Sequence, residues 1–261
     1  MFSVSVPKNN IKERAYILDV MLNEFLGIEY EFVLADVQDY KIILRNGKIL
    51  IIEDHFFNKN LKDKGYLSIE NFPKEITLSS NEFAPEDDVI ILYGNDKLEV
   101  SENEIICGLD IFASTFFMLT RWEEYVNKTR DLHDRFSAKE SIACKNGFLD
   151  RPIVNEYVEM LWNMLFVLDS SIERKEKIYT PILTHDVDII QKYPKFYSGL
   201  DEIAAKIIKN MEIPMSMKLT LQKIKSHFHY KYDPDNSFDY LMDLSEEKGL
   251  QSHFFFQIKG E

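Results

Sequence analysis

The 261-residue sequence is short of several things, and each shortage removes a class of protein. It has two cysteines, Cys107 and Cys144, and no C-x-x-C. Neither a disulfide framework nor a thiolate zinc site follows from that, and both thiols are expected free and buried. No apolar run approaches the ~18 residues of a membrane-crossing helix, so no membrane span is expected. The opening segment, MFSVSVPKNNIKERAYILDV, lacks the positive-then-apolar pattern of a secretory leader, which leaves the cytoplasm as the simplest location. Positive charge is also scarce: 31 Lys and Arg against 44 Asp and Glu give a net charge of −13. Binding to phosphate runs on Lys and Arg releasing counterions, so nucleic acid is disfavoured as a partner, and anionic membrane surfaces for the same reason. No internal repeat, low-complexity tract or glycine-rich phosphate cradle is evident.

What remains is an ordinary globular balance, 45% hydrophobic and 29% charged. The length suits one large or two ordinary domains with a sizeable core. Asn10, with Glu13 three residues on, opens a helical pattern through Ile17, Met21 and Phe25 that Gly27 closes. Extended runs follow at 30–34, 40–44 and 48–52, and Asn46-Gly47 predicts a type I′ hairpin between the last two. Residues 76–78 and 89–93 read as strands, and 97–100 with 105–107 as a second small hairpin.

Residues 108–128 read as one largely buried helix with Asp110 near its start. A long polar loop is expected over 129–151. Its neighbours Arg121, Glu123 and Glu124, together with Asp134, Arg135 and Arg151, offer a polar pocket or local ion pairs in solvent, and the second reading is preferred. Pro152 suits the first turn of a helix that continues through Tyr157, Leu161 and Leu168. The charge run ERKEK at 173–177 is a solvated connector, so the expected domains are 1–172, a mixed α/β domain of unassigned function, and 178–261.

The second part is organised around residues 179–193, YTPILTHDVDIIQKY. A short apolar run meets Thr184, His185, Asp186 and Asp188, as a buried strand ending in a polar cluster would. On a strand, Asp186 and Asp188 point to one side and Val187 to the other. Carboxylates so close repel each other, and burying polar groups unpartnered costs roughly 2–7 kcal/mol. Such a pair is tolerated where it faces water, pairs with a cation or shares a hard metal ion. Pro194 and Gly199 then mark a loop, 200–210 and 216–226 read as helices separated by Pro214, and 227–236 as a wet aromatic loop.

THDVD after an apolar strand resembles the first motif of the polysaccharide deacetylases, carbohydrate esterase family 4. Residues 237–260, SFDYLMDLSEEKGLQSHFFFQIKG, resemble that family's next helix and second strand, and 1–172 resembles an uncharacterised domain often found ahead of this deacetylase type. The resemblance implies an α/β chain in which the N-terminal domain precedes the start of an incomplete (β/α) deacetylase-type barrel. It implies Asp186 as catalytic base and Asp188 as ligand of a divalent metal, Zn²⁺, with His185 and Thr184 flanking the site. The implied reaction is hydrolysis of N- or O-acetyl groups on an acetylated polysaccharide or glycan.

One part of that pattern is missing. The family completes its metal site with a downstream H-x-x-x-H, and none of the six histidines here are four apart. A (β/α) barrel needs ~200 residues, whereas 82 follow Tyr179. The expectation is a piece of a longer protein or a short form that does not run the full chemistry, with only Asp188 identifiable as a ligand. Two rivals stand beside it: a metal-dependent transferase whose D-x-D holds Mg²⁺ or Mn²⁺ against a sugar nucleotide, and a non-catalytic glycan- or partner-binding module with a vestigial D-x-D.

Overall fold

The computed structural model describes residues 1–58, 65–176, 178–192, 204 and 213–256. It divides into two units, Met1–Glu176 and Lys177–Glu261.

The first unit is built on a six-stranded sheet. Its strands are β1 (Phe2–Val6), β2 (Tyr30–Leu34), β3 (Tyr40–Ile43), β4 (Ile49–Ile52), β7 (Gly94–Val100) and β8 (Glu104–Leu109), in the order β2-β1-β3-β4-β8-β7. β1 runs parallel to β2 and β4 parallel to β8, while β3 and β7 pair antiparallel with their neighbours. The strand β1 had no counterpart in the sequence-based expectation, although Phe2, Val4 and Val6 alternate with serines in the period of a half-buried strand. Val4 lies beside Ile42, Ile42 beside Leu50 and Leu50 beside Ile105, and all four are fully buried. One face of the sheet thus carries an unbroken apolar row.

Three helices pack around that core: α1 (Ile11–Leu18), continued by a π-helical segment Asp19–Phe25, α2 (Ile111–Thr120) and α5 (Ile153–Leu168). α1 meets α2, α2 meets α5, and α5 lies on β4 and β8. A small antiparallel pair, β5 (Thr77–Ser79) with β6 (Val89–Ile91), is fastened to α5 by the Tyr157 hydroxyl, which donates to Ile90 O at 2.6 Å.

Several expectations need correction here. The helix expected over 108–128 breaks at Arg121, whose φ of +50° is left-handed, and resumes as α3 (Trp122–Val126). The break turns Trp122 into the core, edge-on to Phe117 with ring centroids 5.2 Å apart. The Asn46-Gly47 hairpin is not type I′, because only Gly47 has positive φ, +82°. Gly47 N donates to Leu44 O and Leu44 N to Lys48 O, the pattern of a type I turn closed by a left-handed glycine. The long polar loop contains a short helix, α4 (Ile142–Lys145), started by Ser141 accepting from Cys144 N.

The second unit has a two-stranded parallel sheet, β9 (Leu183–Val187) with β10 (Ser252–Phe256). Between them in sequence come α6 (Ile213–Phe228) and α7 (Phe238–Glu247). A parallel pair joined through helices is the βαβ unit of an α/β sheet. The described residues form no closed barrel. Pro214 does not interrupt α6 but sits in its first turn, where a missing N–H costs nothing. The expected helix over 200–210 lies, apart from Ala204, outside the described residues.

Candidate functional site

In the second unit, exposure alternates along the first strand. Leu183, His185 and Val187 are half-buried, and Thr184, Asp186 and Asp188 are exposed. Thr184 and Asp186 therefore share one face, and Asp188 follows one residue past the end of the strand, also in solvent. In the parallel register, His253 lies beside Thr184 and Phe255 beside Asp186. This exposed face thus carries Thr184, Asp186 and His253, with Asp188 at its rim. His253 was not singled out from the sequence. The signal for it, alternation in Ser252–Phe256, becomes useful only once the register with β9 is known.

His185 takes the opposite face. Its ring stacks on Phe254, centroids 4.8 Å apart at 26°, and its Nε2 lies 3.2 Å from Ser252 Oγ. Ser252 Oγ is in turn 2.7 Å from Ser245 Oγ on α7. Phe238 of α7 covers the same face, 5.2 Å from the Phe254 ring. The motif therefore divides: His185 packs the helix side, and the carboxylates face outward.

The metal expectation can be tested on donors alone. A catalytic zinc takes three protein ligands and a water, with His prominent among them. Among the described residues, no group of three His, Cys, Asp or Glu is placed to hold a metal ion. Asp186 and Asp188 by themselves do not fit zinc.

The first unit holds a second cluster, at the carboxyl ends of its parallel strands, where open α/β sheets place their ligands. Arg14 of α1 is fully buried, and its Nη2 donates to Asp54 Oδ2 at 2.5 Å just past β4. Nε and Nη2 of Arg14 also bond Asn9, which follows β1. Asp54 Oδ1 accepts from the backbone N–H groups of Phe56, Phe57 and Asn58. Asp110, past β8, caps α2 through Ala113 N at 2.9 Å, while its Oδ2 accepts from His55 N and Phe56 N. Burial and then the nearby Asp54 carboxylate push the Asp110 pKa up to about 7. The Tyr40 ring lies under the Arg14 guanidinium at 4.9 Å. Arg14, Tyr40, Asp54 and Asp110 are inside the core and Asn9 stands at its exposed rim, so the cluster braces three loops; sequence reasoning missed it because its parts are scattered from Asn9 to Asp110.

Outside this brace, Glu53 pairs with Lys97 at 2.8 Å and His55 at 3.0 Å, and the Lys97 ammonium lowers the Glu53 pKa. The charged residues around 121–151 separate. Arg121 and Glu123 line a pocket of about 280 Å³ with Phe117 and Phe136, and burial raises the Glu123 pKa. Asp131 and Arg135 pair with each other, and Arg151 holds Asp88 and Glu156 at 2.5 and 2.7 Å.

These features define a two-unit α/β protein whose first unit is a mixed sheet with a buried ionic brace. A family model described as a family of unknown function, DUF7033, matches residues 2–169, well over half of the chain. The chain belongs to that family. No curated protein and no solved structure matches it. Among the described residues, no helix is long and apolar enough to cross a membrane.

Proposed function

We propose that residues 183–256 are the opening strand–helix–strand portion of a polysaccharide deacetylase-type hydrolase domain that acts on acetyl groups of a glycan. The supporting observation is the parallel pairing of β9 and β10 with Asp186 exposed at the carboxyl end of β9 and Asp188 just beyond it. Asp186 is assigned as the carboxylate that takes a proton from water. Asp188 is assigned to the divalent cation. Because the described residues do not complete a zinc site, the remaining ligands must come from residues outside them.

Isothermal titration with Zn²⁺, alongside acetate release from acetylated chitooligosaccharide, tests this. The expected result is weak zinc binding that disappears in Asp188→Asn and persists in Asp186→Asn, without robust acetate release by this chain. Zinc binding indifferent to Asp188 overturns the site, and robust acetate release overturns its incompleteness. A second reading, a glycan- or partner-binding module with a vestigial D-x-D, draws on the absence of a three-ligand group among the described residues. It requires a thermal shift with glycan and none with metal.

A further inference from the structure

α6 carries an apolar ridge in solvent. Met217, Leu221, Ile224 and Phe228 are 63, 58, 47 and 74% exposed. At 3.6 residues per turn they fall within about 60° of one another, a single apolar ridge along the helix. Lys223 and Ser226, away from the ridge, are only 7% and 2% exposed. A helix that serves only its own core turns its apolar stripe inward.

The charge of this segment also runs against the rest of the chain. Residues 213–232, IPMSMKLTLQKIKSHFHYKY, contain Lys218, Lys223, Lys225 and Lys231 and no acidic residue. Counting His as neutral, the segment carries +4, so the remainder carries −13 − 4 = −17. Lys218 and Lys225 are exposed on one shoulder of the apolar ridge. At its C-terminal end, Tyr230 and Tyr232 are 39% and 44% exposed, amphipathic rings of the kind that settle at a membrane–water boundary.

We propose that α6 docks in the plane of an anionic lipid surface, with Met217, Leu221, Ile224 and Phe228 among the acyl chains and Lys218 and Lys225 at the headgroups. The ridge is convex and one helix wide. A lipid interface deforms around such a ridge, and an apolar face flanked by lysines and aromatics is the composition of an interfacial helix. Lysine stems extend along the apolar side while their ammonium groups stay with the phosphates. Net charge does not forbid the contact, because charges beyond ~10 Å are screened at ordinary salt and the exposed lysines beside the ridge, Lys218 and Lys225, act at contact range. Each lysine near an anionic surface is worth roughly fivefold in affinity.

Vesicle co-sedimentation of the full chain tests this, using phosphatidylcholine alone and with a third phosphatidylglycerol, at low and high salt. Expected is pelleting with the anionic vesicles only, weakened by salt. Leu221→Asp with Ile224→Asp should weaken it at least tenfold, and Lys218→Glu with Lys225→Glu by a similar factor, with unchanged circular dichroism. A second readout places a fluorophore on Met217→Cys in a Cys144→Ser background, Cys107 being buried; its emission should shift to the blue on anionic vesicles. Wild-type protein left in the supernatant, pelleting indifferent to the apolar substitutions, or an unshifted fluorophore overturns the proposal. So does a wild-type dimer, in sedimentation velocity, that Leu221→Asp with Ile224→Asp dissociates while vesicles are ignored, since the ridge would then be covered by a second copy.

Discussion

Arg14 and Asp54 meet at 2.5 Å with both side chains wholly out of solvent. The contact fixes the first helix to the chain leaving the fourth strand, and Arg14 simultaneously holds Asn9 beyond the first strand. Removing one member of a buried pair leaves the other charged and desolvated, which costs about 3–5 kcal/mol. Arg14→Leu is therefore expected to lower the stability of the first unit by about that amount. Arg14→Lys should recover little, since an ammonium cannot reproduce the planar fork that serves both Asn9 and Asp54. Both tryptophans, Trp122 and Trp162, lie in this unit, so tryptophan emission during urea unfolding reads it directly. A lysine variant as stable as wild type would contradict this account.

Asp110 gives the same unit a pH dependence of defined sign. Its folded pKa, about 7, stands above the ~3.9 of an unfolded aspartate. Between those values the folded chain holds a proton that the unfolded chain has released. Stability owed to this residue is therefore fully present below about pH 4, falls as pH rises through the window and levels off above about 7. Asp110→Asn keeps a good helix cap but turns an amide N–H₂ toward both His55 N and Phe56 N, so it should be less stable at every pH. Its stability should also fall less between pH 5 and 7.5 than that of wild type. Urea midpoints across that range, compared between the two proteins, decide it. The comparison cancels carboxylates shifted the other way, such as Glu53 and Asp169.

The legible parts of this chain were those whose signal is local. The alternation in the strands around Ile42, Leu50 and Ile105, the proline-led α5 and the polar end of β9 can each be read from a window of a few residues. The brace could not be, because Asn9, Arg14, Asp54 and Asp110 become neighbours only when β1, β4 and β8 are laid side by side. Arg121 was opaque for another reason. Nothing in its side chain demands left-handed backbone; the demand comes from burying Trp122 among Phe72 and Phe117. The direction of His185 was hidden likewise, since a D-x-D strand has two faces and only Phe238 and Phe254 show which one is packed.

Gly47 is a place where backbone alone sets the cost. Its φ is +82°, and a Cβ built there meets nothing within 4 Å. Gly47→Ala is thus free of collision but holds an L-residue in left-handed space, at about 1–2 kcal/mol. The expected loss is of that size by tryptophan-monitored unfolding. Gly47→Asn should cost less, because asparagine tolerates this region better than alanine. Equal losses for the two would assign the effect to something other than φ.

The division of the THDVD strand into two faces makes its residues separable by experiment. His185 stacks on Phe254 and reaches Ser252, whereas Asp188 is exposed one residue past the strand. His185→Ala should then weaken the pairing of β9 with β10 by about 1 kcal/mol, the order of one aromatic contact. Zinc heat should be unaffected. Asp188→Asn should do the opposite, leaving the strands as protected as before and abolishing the zinc heat. Because the chain has two units, global unfolding is not expected to be two-state. Amide hydrogen exchange within Leu183–Val187 and Ser252–Phe256 is the appropriate measure. If His185→Ala removed zinc binding while leaving exchange untouched, the histidine would have to turn to the carboxylate face, and the assignment of roles along this strand would be reversed.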